Sequence, residues 1–236
     1  WIAGAFSGSG EATAYKMAKE GAKWILSARR KEELELVKNA CGLLENDILV
    51  LPLDVENFES FESLKDTVVA KFGRIDLLFN NAGISQRGGV LESDLSVFQK
   101  IININFMGVA ALTKAVLPQM IKQNDGHIVV TSSLSGKLGS PKRSGYCASK
   151  HALHGFFDAL RAEVYENNIK VTMICPGYIQ TDISVNAISA DGNKHGKMDN
   201  NQENGIPVDV CAAKIVKAIK ADKSEIYIGG KEVLGV

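Results

Sequence analysis

The chain has 236 residues, 45% of them hydrophobic, with 27 Lys plus Arg against 27 Asp plus Glu. That length suits one large domain or two small ones with a substantial core. The zero net charge gives nucleic acid or an anionic membrane no electrostatic support as a partner, and no apolar run reaches the roughly 18 residues that read as a membrane span.

In chain order, WIAG (1–4) reads as the end of a first strand, and AGAFSGSGEATA (3–14) as a glycine-bearing turn into a helix that stops at Gly21. KWILSA (23–28), ILVLPL (48–53), IDLLFN (75–80), HIVVTSS (127–133), KVTMIC (170–175) and EIYIG (225–229) are short apolar runs. Runs without polar alternation suit strands covered on both faces, as in a parallel sheet. Amphipathic stretches separate them: 31–40, 59–73, the long 94–123, 144–168 and 207–221. This alternation predicts a single α/β domain over 1–236, a Rossmann-like doubly wound parallel sheet with helices on both faces. Residues 189–206, SADGNKHGKMDNNQENGI, break the rhythm with a polar, Gly/Asn-rich stretch. It reads as a loop over a site, within a substrate-loop insertion at about 182–206.

The glycine turn has a physical use. Gly4, Gly8 and Gly10 with Ser7 let backbone N–H groups and a helix N-terminus approach a pyrophosphate. At the end of the second strand, SARRK carries Arg29 and Arg30 where an NAD site has an acid. A guanidinium bonds a 2′-phosphate through two N–H groups, so the pair favours NADP(H) over NAD(H). Further on, Tyr146 and Lys150 stand one helical turn apart in SGYCASK.

Together these motifs resemble the short-chain dehydrogenase/reductase superfamily, in its branch with a Tyr-x-x-x-Lys pair, nearly end to end. The likeness rests on Gly4, Gly8 and Gly10; on Asp54; on Asn80, Asn81, Ala82 and Gly83; on Asn105; on Ser133, thirteen residues before Tyr146; on Lys150; and on Pro176, Gly177 and Thr181. The stretch PGYIQTDISVNAISADG (176–192) looks like the subgroup called member 7 and 7B in animals. The resemblance implies a carbonyl/alcohol oxidoreductase with a small-molecule substrate. It implies that Tyr146 is general acid/base, that Lys150 also bonds the nicotinamide ribose, that Ser133 holds the substrate oxygen and that Asn105 positions a relay water. Asp54 then borders the adenine pocket, and Thr181 contacts the carboxamide. A free phenol has a pKa of ~10, so the neighbouring Lys150 ammonium is expected to lower it.

Departures cluster in the glycine loop: Ala3, Phe6 and Ser9 stand where the family has Thr, a small residue or Ser, and Ile. They support an alternative, a non-catalytic NADP(H) sensor on the same fold. A sugar-nucleotide epimerase is a third option, disfavoured because such enzymes are longer. The resemblance also implies a homodimer or homotetramer through the tyrosine helix, to which Phe156, Phe157 and Leu160 add an apolar face. Cys41, Cys147, Cys175 and Cys211 have no C-x-x-C spacing and read as reduced thiols of a cytoplasmic protein. His151 and His154 share a helix face without an evident third ligand, so no metal site is expected. Both ends of the chain read as trimmed, which leaves room for an anchor or targeting segment.

Overall fold

The computed structural model describes residues 1–235. In chain order its strands are β1 (Ile2–Ala3), β2 (Trp24–Ser27), β3 (Ile48–Val50), β4 (Leu77–Asn80), β5 (Gln86–Arg87), β6 (Gly126–Thr131), β7 (Ile169–Pro176), β8 (Ile188–Ser189) and β9 (Glu225–Ile228). The helices are α1 (Gly8–Ala18), α2 (Lys31–Cys41), α3 (Phe61–Phe72), α4 (Leu95–Ile102), α5 (Gly108–Gln123), α6 (Ser144–Glu163), α7 (Asn200–Glu203) and α8 (Val208–Lys220). Seven strands form one parallel sheet in the order β3-β2-β1-β4-β6-β7-β9. This is the Rossmann-like doubly wound fold expected from the alternating pattern, and the six apolar runs become β2, β3, β4, β6, β7 and β9.

The continuous apolar runs are explained by two cores, one on each face. Leu78, Ile128, Val130 and Met173 point into one, with Phe61, Leu112, Met120, Leu153 and Phe157 from α3, α5 and α6. Their neighbours Phe79, Val129 and Ile174 point the other way, onto Ala14, Leu34, Val37, Ile215 and Ile219 of α1, α2 and α8. Side chains alternate across a strand, so a sheet covered on both faces needs apolar residues at every position.

The structure adds three features. The stretch read as one helix over 94–123 contains a widened π-helical turn at Asn103–Met107, between α4 and α5. As a whole, Leu95–Gln123 is a 29-residue helix with the length and composition to cross a membrane, although polar residues interrupt its apolar run. Half of its apolar window is buried inside the protein, where it packs on α3 and α6. A two-stranded parallel ribbon, β5 with β8, also lies outside the main sheet. Finally, the polar stretch 189–206 is pinned rather than featureless. It carries α7, bridges Ile188 to Lys194 and Ile179 to Ile206, and buries Gln202.

Phe157 is fully buried on α6 between that helix and the sheet. Phe157→Ala should lower the free energy of unfolding by about 3–5 kcal/mol, read as a shift of the urea midpoint at unchanged m-value.

Candidate active site

The sheet order reverses around β1, which lies between β2 and β4. In open α/β sheets such a switch point leaves a crevice beyond the carboxyl ends of the strands. Here Gly4 follows β1, Asn81–Gly83 follow β4, Ser132 and Ser133 follow β6, and Gly177 follows β7. They meet in a cleft of about 1410 Å³. Ser7, Gly8, Arg29, Arg30, Asp54, Asn81, Ala82, Gly83, Ser133, Tyr146, Lys150, Pro176, Gly177 and Thr181 line it as well. Gly10 and Asn105 are not in its lining.

Backbone geometry makes the glycine turn. Gly4 has φ +88°, and a Cβ there would lie 2.6 Å from Ala82 N. At Gly10, on the first turn of α1, a Cβ would overlap the Gly4 carbonyl and approach Asn81 Nδ2 to 2.6 Å. Only hydrogen fits at either position. The α1 N-terminus starts at Gly8, where the Thr181 side chain closes in from the segment after β7. The turn therefore has the shape and the exposed backbone donors that a pyrophosphate requires.

The departures in this loop have partners. Phe6 lies under Arg30, whose Cζ is 4.6 Å from the ring centroid, and Arg30 also pairs with Glu33 at 3.5 Å. Cation–π contact holds the guanidinium against the turn. Ser9 Oγ lies 3.8 Å from Cys211 Sγ on α8. Ala3 is buried beside Ser27, whose carbonyl accepts from Gly4 N at 2.8 Å. Arg29 is exposed at the rim, and Asp54 Oδ1 accepts from Glu56 N in the turn after Leu53.

Ser133, Tyr146 and Lys150 are all buried yet line the cleft. Burial raises the Tyr146 phenol above its ordinary pKa; Ser133 beside it, then Arg143 and Arg87, oppose the rise. The expected lowering by Lys150 is not the pattern found. Lys150 Nζ sits 5.7 Å from the Tyr146 ring centroid and donates to Thr131 O at 2.7 Å. Burial lowers its own pKa to about 8. Its ammonium is thus bound to the Thr131 carbonyl rather than to the phenol oxygen.

Asn105 lies in the π-helical turn, fully buried. Its Oδ1 accepts from Ile84 N at 2.8 Å, and its Nδ2 donates to Ile84 O at 2.9 Å and Ser149 Oγ at 3.0 Å. Extra-residue turns of this kind recur at functional sites. Sequence reasoning missed the supports. Gln86 Oε1, buried on β5, accepts from Gly145 N at 2.8 Å and Tyr146 N at 3.4 Å, satisfying the start of the tyrosine helix. Behind Ser133, Ser132 Oγ meets His154 Nε2 at 2.9 Å, and His154 Nδ1 faces Glu225, which Lys137 pairs at 3.0 Å. His154, Cys175 and Glu225 bring ligand atoms within 4.8 Å of one another, a grouping the sequence concealed because these residues lie on α6, β7 and β9. Burial pushes the Cys175 thiol up to about 12, and His154 Nε2 already meets Ser132, so the group reads as a polar support for Ser132. Nothing in the spacing of Gln86 or His154 signalled these contacts.

The sequence model of the family described as short chain dehydrogenase matches residues 1–192. The chain belongs to the short-chain dehydrogenase family. This dehydrogenase is 42% identical over 239 residues to dehydrogenase/reductase SDR family member 7 of Mus musculus, covering 99% of this chain and 71% of the mouse protein. Among solved structures, a short-chain dehydrogenase/reductase of Burkholderia phymatum in complex with NAD superposes with TM-score 0.84 at 26% identity, over 96% of this chain and 88% of that one. An alcohol dehydrogenase of Thermococcus sibiricus complexed with 5-hydroxy-NADP superposes with TM-score 0.81 at 25% identity, over 98% and 96%. The dehydrogenase is thus an oxidoreductase of a family acting on CH–OH groups, with a fold that binds NAD(P).

Burying Lys150 has a cost with a defined pH window. Below about pH 8 the folded and unfolded chains both carry the charge, and the fold bears the full desolvation. Between about 8 and 10.5 the folded amine is neutral while the unfolded one still holds its proton, so stability rises with pH. Lys150→Met should stabilise the dehydrogenase at pH 7 by on the order of 1–3 kcal/mol, the lost Thr131 bond trimming the gain. That advantage over the native chain should shrink as pH is raised from 8 to 10.5. Urea unfolding of both proteins at pH 7 and pH 10 measures it; a constant difference would exclude a buried charge at Lys150.

Proposed function

We propose that the chain is an NADP(H)-preferring oxidoreductase that interconverts a carbonyl and an alcohol, with Tyr146 as general acid/base. The observation that carries this reading is the single cleft in which Ser133, Tyr146 and Lys150 face the Gly4–Gly8 turn. The bound dinucleotide supplies or accepts the hydride. In reduction Tyr146 would give its proton to the substrate oxygen while the carbonyl carbon took the hydride, so that C–H and O–H bonds would replace the C=O π bond. Ser133 holds the substrate oxygen beside the phenol. Lys150 would hold the nicotinamide ribose, and Ser133, Arg143 and Arg87 with the positive charge of an oxidised cofactor would draw down a phenol that burial alone leaves too weak an acid. Asn105, bonded to Ile84 and Ser149 behind the cleft, would help position a relay water that returns the proton. Arg29 and Arg30 favour a 2′-phosphate, and the Phe6 ring orients Arg30 for it.

The altered glycine loop keeps the sensor reading as the competitor, and turnover separates the two. NADPH oxidation across a carbonyl panel should be detectable, and Tyr146→Phe should lower kcat by about 10²–10⁴ while NADPH still binds. Near-normal kcat in Tyr146→Phe would refute the assigned role; tight NADPH binding with no turnover of any carbonyl would favour the sensor.

Cofactor selectivity has its own test. One charge-assisted hydrogen bond contributes about 1.5–3 kcal/mol, so Arg29→Ala and Arg30→Ala should each raise the NADPH Kd by about one to two decades. NADH binding should hardly move in the same fluorescence titrations. Equal losses for both cofactors would sink the 2′-phosphate assignment.

A further inference from the structure

Three charged residues meet beside the tyrosine helix. Arg87 comes from β5, Arg143 immediately precedes α6, and Asp199 caps α7 in the polar stretch. Arg87 Nε donates to Asp199 Oδ2 at 3.0 Å, and Nη2 donates to the same oxygen. Its Nη1 is fixed by Ser85 Oγ at 2.8 Å and the Gln86 carbonyl at 2.6 Å. Arg143 Nη2 donates to Asp199 Oδ2 at 3.0 Å. The side chains are only 11%, 20% and 25% exposed for Arg87, Arg143 and Asp199.

The charge does not balance: two guanidinium groups share one carboxylate. Among the described residues Arg143 donates to Asp199 alone, and a guanidinium carries about five donors. Its remaining N–H groups are open to solvent from a side chain that is 20% exposed and lines the cleft with Tyr146 and Ser133. Both arginines act on the Tyr146 phenol, so their charge is within electrostatic reach of the reacting oxygen. Leu138, Ile183, Ile188 and Met198 give the same cleft apolar lining. Donors that only water satisfies are free to take an anion entering the cleft, and the arginine fork matches a carboxylate.

We propose that Arg143, oriented by Asp199 and Arg87, is an anion subsite, and that the substrate is an apolar carbonyl compound bearing a carboxylate remote from the reacting oxygen. The proposal rests on the carbonyl-reducing reading of this cleft and adds the substrate class to it. Asp199 is the internal counterion that keeps the guanidinium groups in place. A substrate carboxylate takes the Arg143 donors that Asp199 leaves free.

The test compares 4-formylbenzoate and 10-oxodecanoate with their methyl esters as NADPH-dependent substrates. The native chain should prefer each acid, or at least the one of fitting length, by about 10–100-fold in kcat/KM, the worth of one charge-assisted hydrogen bond. Arg143→Gln should bring the acid/ester ratio towards one, and Arg143→Lys should retain part of it. Asp199→Asn, which removes the carboxylate that orients Arg143, should lower the ratio, by less than Arg143→Gln does. Thermal melts check that the variants fold; should Arg143→Gln fail to fold, the ratio in the native chain and in Arg143→Lys decides. Calorimetric titration of decanoate and decanamide into the NADP⁺-loaded protein reads the subsite without turnover. Decanoate should bind more tightly, and Arg143→Gln should abolish the difference. Esters used as well as acids at both lengths, with decanoate and decanamide bound alike, would overturn the subsite and leave the reductase reading standing. No turnover of any aldehyde, with Arg143-dependent decanoate binding, would do the reverse.

Discussion

A chain of three hydrogen bonds crosses the mouth of the cleft. The Gly4 carbonyl accepts from Asn81 Nδ2 at 3.0 Å, Asn81 Oδ1 accepts from Thr131 Oγ1 at 2.9 Å, and the Thr131 carbonyl accepts from Lys150 Nζ at 2.7 Å. It links the ends of β1, β4 and β6 to α6, and so fixes the glycine turn relative to Lys150. The chain requires glycine at 10, where a side chain would overlap both the Gly4 carbonyl and the Asn81 amide. It also requires strands whose carboxyl ends lie side by side, which a parallel sheet provides at its switch point.

The same arrangement buries groups that water would otherwise solvate. Tyr146, Lys150, Ser133 and Asn105 are all buried. Burial pushes the phenol up and the amine down, so each group is held nearer its neutral form. A neutral phenol is the form that can donate a proton, and a cation placed nearby makes it a stronger acid. Stability and chemistry therefore pull against each other at Lys150, a balance common at active sites. The supports are polar: Ser149 for Asn105, Gln86 for the first turn of α6, His154 for Ser132. Each holds a functional residue in one rotamer or one backbone position, which is what a preorganised site needs.

The unusual glycine loop has a physical account. A phenylalanine in a turn that hugs a dinucleotide looks misplaced by sequence alone. In the structure its ring carries the Arg30 guanidinium, so the loop and the end of β2 act as one surface. Ser9 similarly faces Cys211 rather than an apolar neighbour. Both substitutions are matched by contacts, and the main-chain path through Gly4, Gly8 and Gly10 is intact.

Apolar runs too regular for half-exposed strands announced the doubly wound sheet, because only a sheet covered on both faces uses hydrophobic residues at successive positions. Local motifs likewise announced the glycine turn, the Asn81–Gly83 corner and the Tyr146–Lys150 pair, since each depends on neighbours a few residues away. What the sequence could not announce depends on residues far apart in the chain. The π-helical turn at Asn105 is hidden inside a continuous helical pattern, because one extra residue in a turn leaves no compositional mark. Gln86 reaches α6 across 59 residues, Asp199 reaches Arg87 across 112, and His154 meets Cys175 and Glu225 only when α6, β7 and β9 are packed together. Even the sign of the Tyr146 shift followed this division: spacing showed an ammonium one turn away, but burial, a property of the packed molecule alone, decided which way the phenol moved. Short-range geometry is encoded by spacing, whereas desolvation and long-range ion pairing arise only when the chain is folded.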